Sequence, residues 1–311
     1  MSPSPFVPAY VRLLESDKLE ERVREAKSRL VSCDLCPRRC GVDRMSGELG
    51  SCRTGREALV ASAGPHFGEE SPLVGRGGSG TIFFTWCNLR CQYCQNDGIS
   101  QGGEGRPVSA ADLAEMMLSL QRSGCHNVNF VSPSHVVPQI LEATWIAAQR
   151  GLRVPLVYNT GGYDSLDTLA LLDDVFDIYM PDMKYADAAV GERYSLVKDY
   201  PRFNQDAVRE MHRQVGDLRM DERGIATRGL LVRHLVLPEG LAGTPGIVRF
   251  LADLSPNTYL NVMAQYRPCY HAHNLSPLNR RITQTEYREA VQAALDAGLE
   301  RLDGRQDRRW F

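Results

Sequence analysis

Three cysteines fall within eight residues, Cys87, Cys91 and Cys94, in the run TIFFTWCNLRCQYCQNDGIS. The Cys-x3-Cys-x2-Cys spacing puts three thiolates on one short loop. A cubane iron–sulfur cluster held by only three thiolates keeps one iron open to an exogenous ligand. That open position separates a reactive cluster from a four-thiolate electron carrier. Structural zinc is the competing reading, but it takes four closed ligands, and no fourth cysteine or histidine follows nearby. The spacing points to iron–sulfur chemistry.

A second group, Cys33, Cys36, Cys40 and Cys52 in CDLCPRRCGVDRMSGELGSC, supplies four thiolates, enough to close a site completely. An S4 set suits structural zinc or an auxiliary iron–sulfur cluster, and cysteine identity does not choose between them. Arg38, Arg39 and Arg44 are placed to offset the thiolate charge in either case. The run is rich in Gly, Arg and Pro and lacks hydrophobic periodicity, as expected of a knuckle organised around an ion. Cys125 and Cys269 stand alone. Cys125 ends an expected helix and reads as packing. Cys269 lies in AQYRPCYHAHN, after Gln265, Tyr266 and Arg267 and before His271 and His273. Arg267 suits an anchor for a carboxylate or phosphate, and the two histidines line a pocket or face water.

These groups need a frame. Residues 10–30 carry Val11, Leu14, Leu19, Val23, Ala26 and Leu30 at helical spacing. Residues 53–80, with Pro65, Pro72 and GRGGSG at 75–80, read as a connector. This divides the chain into a small cysteine-rich module over 1–75 and a main domain over 76–311. From residue 81 short β-branched runs alternate with helical stretches. Strands are expected at Thr81–Trp86, Val128–Val131, Val154–Tyr158, Ile178–Pro181, Leu230–Leu237 and Thr258–Met263. Helices are expected near 109–123, 136–150, 165–173, 203–215, 245–253 and 283–297, with Ser109 and Thr283 as N-caps. Six strands each followed by a helix imply a parallel α/β sheet, either open or closed wholly or partly into a barrel. Catalytic groups of such domains gather at the C-terminal strand ends, where the cysteine triplet sits.

Of the 311 residues, 43% are hydrophobic and 24% charged, which is ordinary globular usage and excludes disorder and coiled coil. A net charge of −2 gives no bulk field for nucleic acid or an anionic membrane. No apolar run reaches the length of a membrane span, and the charged N-terminus lacks the stretch of a signal peptide. A cytoplasmic protein is expected, whose odd count of nine cysteines argues for metal over disulfides. The terminal RLDGRQDRRWF reads as a solvated tail, or as Trp310 and Phe311 packing back on the domain.

The triplet, with the aromatic Tyr93 before its last cysteine, resembles the signature of the radical S-adenosylmethionine (SAM) superfamily. Within it the chain is similar to the pyruvate formate-lyase-activating-enzyme-like group, in a branch marked by an N-terminal CxLCPRxC. The matching residues are CDLCPRRC at 33–40, CQN at 94–96, ISQ at 99–101, VSPSH at 131–135, YNTGGY at 158–163, PDMKY at 181–185 and NVMAQYRPC at 261–269. The resemblance implies a partial (β/α)6 TIM-like barrel and a 4Fe-4S cluster on Cys87, Cys91 and Cys94. It further implies that SAM chelates the open iron through its amino and carboxylate groups. Reductive cleavage then gives a 5′-deoxyadenosyl radical that removes hydrogen from a substrate carbon. An electron donor such as flavodoxin or ferredoxin is implied as a partner.

Site residues transfer position by position. Where relatives carry Gly-Gly-Glu for the SAM amino group, this chain has Ser132-Pro133-Ser134-His135, so Ser132 and Ser134 are the expected acceptors. Asn159, Asp182 and Lys184 are expected against the ribose hydroxyls or the SAM carboxylate, the alternative being a turn-capping Asn and a surface ion pair. Tyr93, Gln265 and Arg267 join the expected cofactor contacts, and His234 is either interior-facing or structural. Cys269 is a hydrogen-atom donor to a substrate radical, a spare cluster ligand or a buried small residue. The target is either a small molecule or peptide that is epimerised, dehydrogenated or rearranged, or a backbone glycine of a glycyl radical enzyme. GRGGSGTIF in place of the activases' DGPG-type segment, with the lost Gly-Gly-Glu, favours the first. A non-catalytic iron–sulfur electron carrier is the reading from another class.

Overall fold

The computed structural model describes residues 6–304, so Trp310 and Phe311 lie outside the described residues. The helix expected over 10–30 is two helices, α1 (Ala9–Glu15) and α2 (Lys18–Ser28). Asp17 takes a left-handed conformation, φ 59°, and turns the chain between them. Residues 29–57, which hold the four-cysteine group, form neither helix nor strand.

The expected connector over 53–80 carries regular structure: β1 (Ala58–His66), a short α3 (Ser71–Val74) and the start of β2 (Ser79–Phe84). Pro65 disguised β1 in the sequence. It sits in the half of β1 that pairs only with β2, on the side where no further strand asks for its missing N–H. The chain continues through α4 (Asp97–Ser100), β3 (Arg106–Val108), α5 (Ala110–Arg122), β4 (Val128–Val131) and α6 (Val137–Gln149). Then come β5 (Leu156–Thr160), α7 (Leu166–Leu171), β6 (Ile178–Pro181), α8 (Ala188–Ser195) and α9 (Tyr200–Val215). The last elements are β7 (Arg219–Met220), β8 (Ala226–Leu235), α10 (Thr244–Leu254), β9 (Tyr259–Met263) and α11 (Gln284–Asp296). Ser109 with Asp112, and Thr283 with Glu286, close reciprocal capping boxes at α5 and α11.

Strands β2, β4, β5, β6, β8 and β9 pair in parallel in that order, while β1, β3 and β7 add antiparallel pairs at the flanks. The sheet stays open, which makes it a partial barrel. Among the described residues no helix is long and apolar enough to cross a membrane.

Pleating divides each parallel strand between two surroundings. Tyr158, Tyr179, Leu230 and Val232 join Ile82, Phe84, Val128 and Phe130 in the main core with Met117, Ile140 and Val208 of the helices. The alternate residues Val157, Ile178, Met180 and Leu231 form a second apolar cluster with Leu73 and Leu218. Two residues further along the same strand faces come Asn159, Asp182 and Arg233. An apolar floor therefore carries polar side chains at the C-terminal strand ends.

Candidate functional site

Above this floor opens a cleft of about 250 Å³. One wall is the triplet loop, with Cys87, Cys91, Tyr93 and Cys94; the other presents Ser132, Asn159, Thr160, Asp182, Lys184 and Arg233. Met263 and Gln265 close the side beyond β9.

Each triplet sulfur has a polar neighbour. Cys91 Sγ lies 3.0 Å from Ser195 Oγ at the end of α8, and Cys94 Sγ lies 2.9 Å from Ser100 Oγ at the end of α4. Cys87 Sγ accepts from the Leu89 backbone N–H at 3.4 Å. Desolvation, with the neighbouring thiols, pushes Cys87 up to about 12, and burial also raises Cys91. Burial thus favours the protonated thiol at Cys87 and Cys91 in the free chain, and metal binding would displace those protons. Among the described residues no three His, Cys, Asp or Glu side chains converge on a single ion. A cubane asks for something else, since each of its thiolates takes a different iron. Three thiols on one loop facing one cleft fit that group.

Tyr93 is fixed by aromatic packing. Its hydroxyl accepts from Tyr185 at 2.7 Å, and Tyr185 also lies 2.8 Å from Ser195 Oγ. The Tyr93 ring meets Tyr185 and Tyr266 edge-on, with centroids 6.4 and 5.9 Å away.

At the strand ends, Lys184 Nζ donates to Asp182 Oδ2 at 2.6 Å and Arg233 Nε to Asp182 Oδ1 at 2.9 Å. Arg233 Nη2 donates to Asn159 Oδ1 at 2.7 Å, and Glu69 stands 3.8 Å from Nη1. Burial opposes ionisation of Asp182, but Arg233 and Lys184 outweigh it and hold the carboxyl below its ordinary range. The charged side chains lining the cleft are Lys184, Arg233 and Asp182, with Glu69 beside Arg233 behind them; the two cations are the groups there able to meet an anionic group on a ligand.

Of the expected site residues, the cleft gathers the triplet, Tyr93, Ser132, Asn159, Asp182, Lys184 and Gln265. Four fall elsewhere. The Ser134 hydroxyl is buried 3.0 Å from Thr160 Oγ1, behind the wall. His234 sits on the opposite pleat face from Arg233, with Met183 O at 2.8 Å from one ring nitrogen and Thr244 Oγ1 at 2.9 Å from the other; it is structural. Arg267 is exposed outside the cleft lining. Cys269 is buried in the segment after β9 and does not line the cleft either. The sequence reading passed over Arg233, for which alternation along β8 gives a signal only once the inward face of that strand is known. Ser100 and Ser195 gave no such signal, because their partners are distant in sequence or in turns.

In the four-cysteine group, Cys33, Cys36 and Cys52 are buried. Burial pushes Cys36 up to about 12, with Cys52, Cys33 and Cys40 adding to the rise. Arg44 is fully buried and its Nη1 stands 3.9 Å from Cys33 Sγ. Arg39, expected beside the thiols, is turned outward to Asp167 at 3.0 Å. A Cβ at Gly50 would stand 2.5 Å from Cys40 Sγ, so glycine is what lets the chain close here. The four thiols interact with one another but do not converge on a single ion; that spacing suits a cluster whose irons take separate sulfurs, whereas zinc would have to draw the four together.

The model of the radical SAM superfamily matches residues 81–217. An uncharacterized protein of Methanocaldococcus jannaschii is 32% identical over 284 residues, which span 89% of this chain and 78% of that protein. Among solved structures, the chain is similar to HydG, a maturase of the FeFe-hydrogenase, at 12% identity and TM-score 0.49, over 72% of this chain and 50% of that one. It is also similar to Streptococcus suis SuiB bound to S-adenosylmethionine, at 13% identity and TM-score 0.45, over 70% and 47%. The chain spans about half the length of each of these two.

Proposed function

The chain belongs to the radical SAM superfamily, and on that premise we propose that its cleft binds SAM beside a 4Fe-4S cluster on Cys87, Cys91 and Cys94. Such a cluster supplies one-electron reductive cleavage of SAM, yielding the 5′-deoxyadenosyl radical that takes hydrogen from a substrate carbon. The observation that carries this reading is the meeting of three thiols and the Lys184–Asp182–Arg233 group across one cleft.

The residues divide the work. Lys184 and Arg233 hold the SAM carboxylate, and Asp182 keeps the two buried cations from repelling each other. Asn159, Thr160 and Ser132 offer neutral hydrogen bonds to the ligand's amino and hydroxyl groups. The Tyr93–Tyr185–Tyr266 packing keeps water off the back of the triplet loop, where solvent would quench a radical. We place a second thiolate-held metal centre, zinc or iron–sulfur, at Cys33, Cys36, Cys40 and Cys52. The reductant is a one-electron donor of the flavodoxin or ferredoxin type, and the nine unpaired cysteines suit a cytoplasmic setting.

The substrate class is a small molecule or peptide, with epimerisation, dehydrogenation or rearrangement as the outcome. GRGGSGTIF where activases carry a DGPG-type segment, and SPSH where they carry Gly-Gly-Glu, favour this over a glycine loop of a large partner. Glycyl-radical activation, the function of the pyruvate formate-lyase-activating-like group, is the second reading, favoured by the motifs shared along the chain. The test is anaerobic reconstitution with iron and sulfide, reduction with dithionite and assay for 5′-deoxyadenosine. Its formation is expected with wild-type protein and not with Cys91→Ala. Its absence from iron-replete wild type would leave an electron carrier instead.

A further inference from the structure

The four-cysteine knuckle is tied to the triplet loop directly at two points, each an arginine on a backbone carbonyl, and indirectly at a third through His135. Arg38, between Cys36 and Cys40, donates Nε to the carbonyl of Asn88, the neighbour of Cys87, and Nη2 to the Leu196 carbonyl at 3.1 Å. Arg90, between Cys87 and Cys91, reaches the other way and donates to the carbonyl of Ser51, the neighbour of Cys52. Its second arm holds Gln101 Oε1 at 2.8 Å, on the far side of the triplet. Arg44 donates to the His135 carbonyl at 2.8 Å, and the His135 ring stands 3.0 Å from the carbonyl of Thr85, two residues before Cys87. The two cysteine groups thus exchange arginines, and His135 relays the third arginine to the root of the triplet loop.

The knuckle is otherwise held by turn and side-chain hydrogen bonds, among them Cys33 N–H to the Val42 carbonyl, Gly41 N–H to the Cys33 carbonyl, Arg44 to the Gly55 carbonyl and the Thr168 hydroxyl to the Leu35 carbonyl. Residues 29–57 have no helix or strand ladder, and their apolar cluster is small, Leu30, Cys33 and Leu35 with Cys40 and Val42 beside them. These contacts hold the backbone but leave the four cysteine side chains without a common partner; thiolate-bound metal would supply one and fix the knuckle further. The position of Arg38, and of the Ser51 carbonyl that receives Arg90, would be fixed with it.

We propose that metal at Cys33, Cys36, Cys40 and Cys52 is an assembly lock: its loading shapes the triplet loop into the form that accepts its own cluster. Arg38 and Arg90 are the positioning residues that transmit it. The lock takes a thiophilic metal, either zinc or iron with sulfide. The inference rests on the reading that both groups hold metal, and not on SAM cleavage.

The test compares full-length wild type, Cys36→Ser/Cys40→Ser and Arg38→Ala/Arg90→Ala, each loaded anaerobically with iron and sulfide, with and without zinc. Iron, zinc and sulfide per chain, visible absorption and amide hydrogen exchange over 87–101 are measured. In wild type, about eight irons per chain identify an iron–sulfur lock, and about four irons with one zinc a zinc lock. In the cysteine variant, triplet iron is expected to fall from about four per chain to below one, although its own ligands are intact. In the arginine variant the knuckle keeps its metal while triplet iron falls more than twofold and exchange over 87–101 speeds up. Arg38→Ala/Arg90→Lys, which retains a donor toward Ser51, recovers part of it. Full triplet iron in either the cysteine or the double-alanine variant overturns the lock, as does a wild-type knuckle that binds neither metal. Should the cysteine variant fail to fold, the arginine variant decides alone. Iron-replete wild type that makes no 5′-deoxyadenosine would count against the proposed function and leave the lock standing.

Discussion

The sulfur of Cys91 and the hydroxyl of Ser195, 104 residues apart, stand 3.0 Å from each other in the buried wall between the triplet loop and α8. Once Cys91 is a metal-bound thiolate, the one proton of the hydroxyl goes to it, the Tyr185 hydroxyl turns its own proton to Ser195 Oγ, and Tyr93 donates to Tyr185 in its place. A donor on a thiolate stabilises the more negative, reduced cluster and raises its potential.

Ser195→Ala removes that donor without changing a ligand. A neutral hydrogen bond contributes about 1 kcal/mol, which for one electron corresponds to roughly 40 mV. The midpoint potential of the triplet cluster is expected to drop by about that much, at unchanged iron content. A redox titration followed by electron paramagnetic resonance reads it directly. A potential that stays put or rises removes Ser195 from the tuning of the cluster.

Arg233 gives a second prediction. Its guanidinium joins Asp182 to Asn159 and faces the cleft with Lys184. Arg233→Gln keeps a polar side chain but loses the charge-assisted bonds, each about 1.5–3 kcal/mol. SAM affinity, measured by equilibrium dialysis against the oxidised, iron-loaded protein, is expected to weaken by roughly 10- to 100-fold. Iron content is expected to stay level. Unaltered affinity would show that the carboxylate is anchored elsewhere.

The contrast between Arg233 and its neighbour His234 shows how far the sequence could be read. The six parallel strands were legible as β-branched runs, and the capping residues Ser109 and Thr283 marked α5 and α11. Which pleat face of β8 looks inward depends on the register of Asp182 beside Arg233, a long-range pairing no local pattern encodes. The histidine, read as interior-facing or structural, lies on the other face, fully buried against the Met183 carbonyl and Thr244. Ser195 was invisible for a related reason: it matters only because α8 folds back onto the triplet loop. The triplet itself needed no such help, since its ligands are near neighbours in the chain.

Cys269 illustrates the same limit. Its position after β9 suggested a hydrogen donor at the cleft, but the wall there is Met263 and Gln265, and Cys269 is buried away from it. Cys269→Ala is therefore expected to leave 5′-deoxyadenosine formation and product yield within about twofold of wild type. The stability cost is about 1 kcal/mol or less, that of trimming a small buried side chain. SAM cleavage at the wild-type rate with stalled product formation would restore the donor role.

Asp177 provides the test of pH dependence. It is buried just before β6, accepting from the Ala9 N–H at 3.0 Å and the Leu156 N–H at 3.4 Å, and so pins the start of α1 to the sheet. Burial pushes its pKa up to about 7, against the pull of those two N–H groups and of Arg228. A carboxyl raised on folding favours the protonated native state. Its stabilising contribution is complete below the unfolded value near 3.9 and is lost as pH rises through about 7. Asp182 has the opposite sign: its depressed pKa contributes stability above the ordinary carboxylate range, lost as pH falls through its folded value. Asp177→Asn keeps the bond from Ala9, gives up the one from Leu156 and removes the titration. The variant is expected to melt below wild type at low pH, where the lost Leu156 bond separates them, and to gain on it as pH rises, levelling off above about 7. The gain is on the order of 3 kcal/mol. A difference between the two proteins that does not change with pH would mean that Asp177 is ionised throughout, held by its two amides and Arg228.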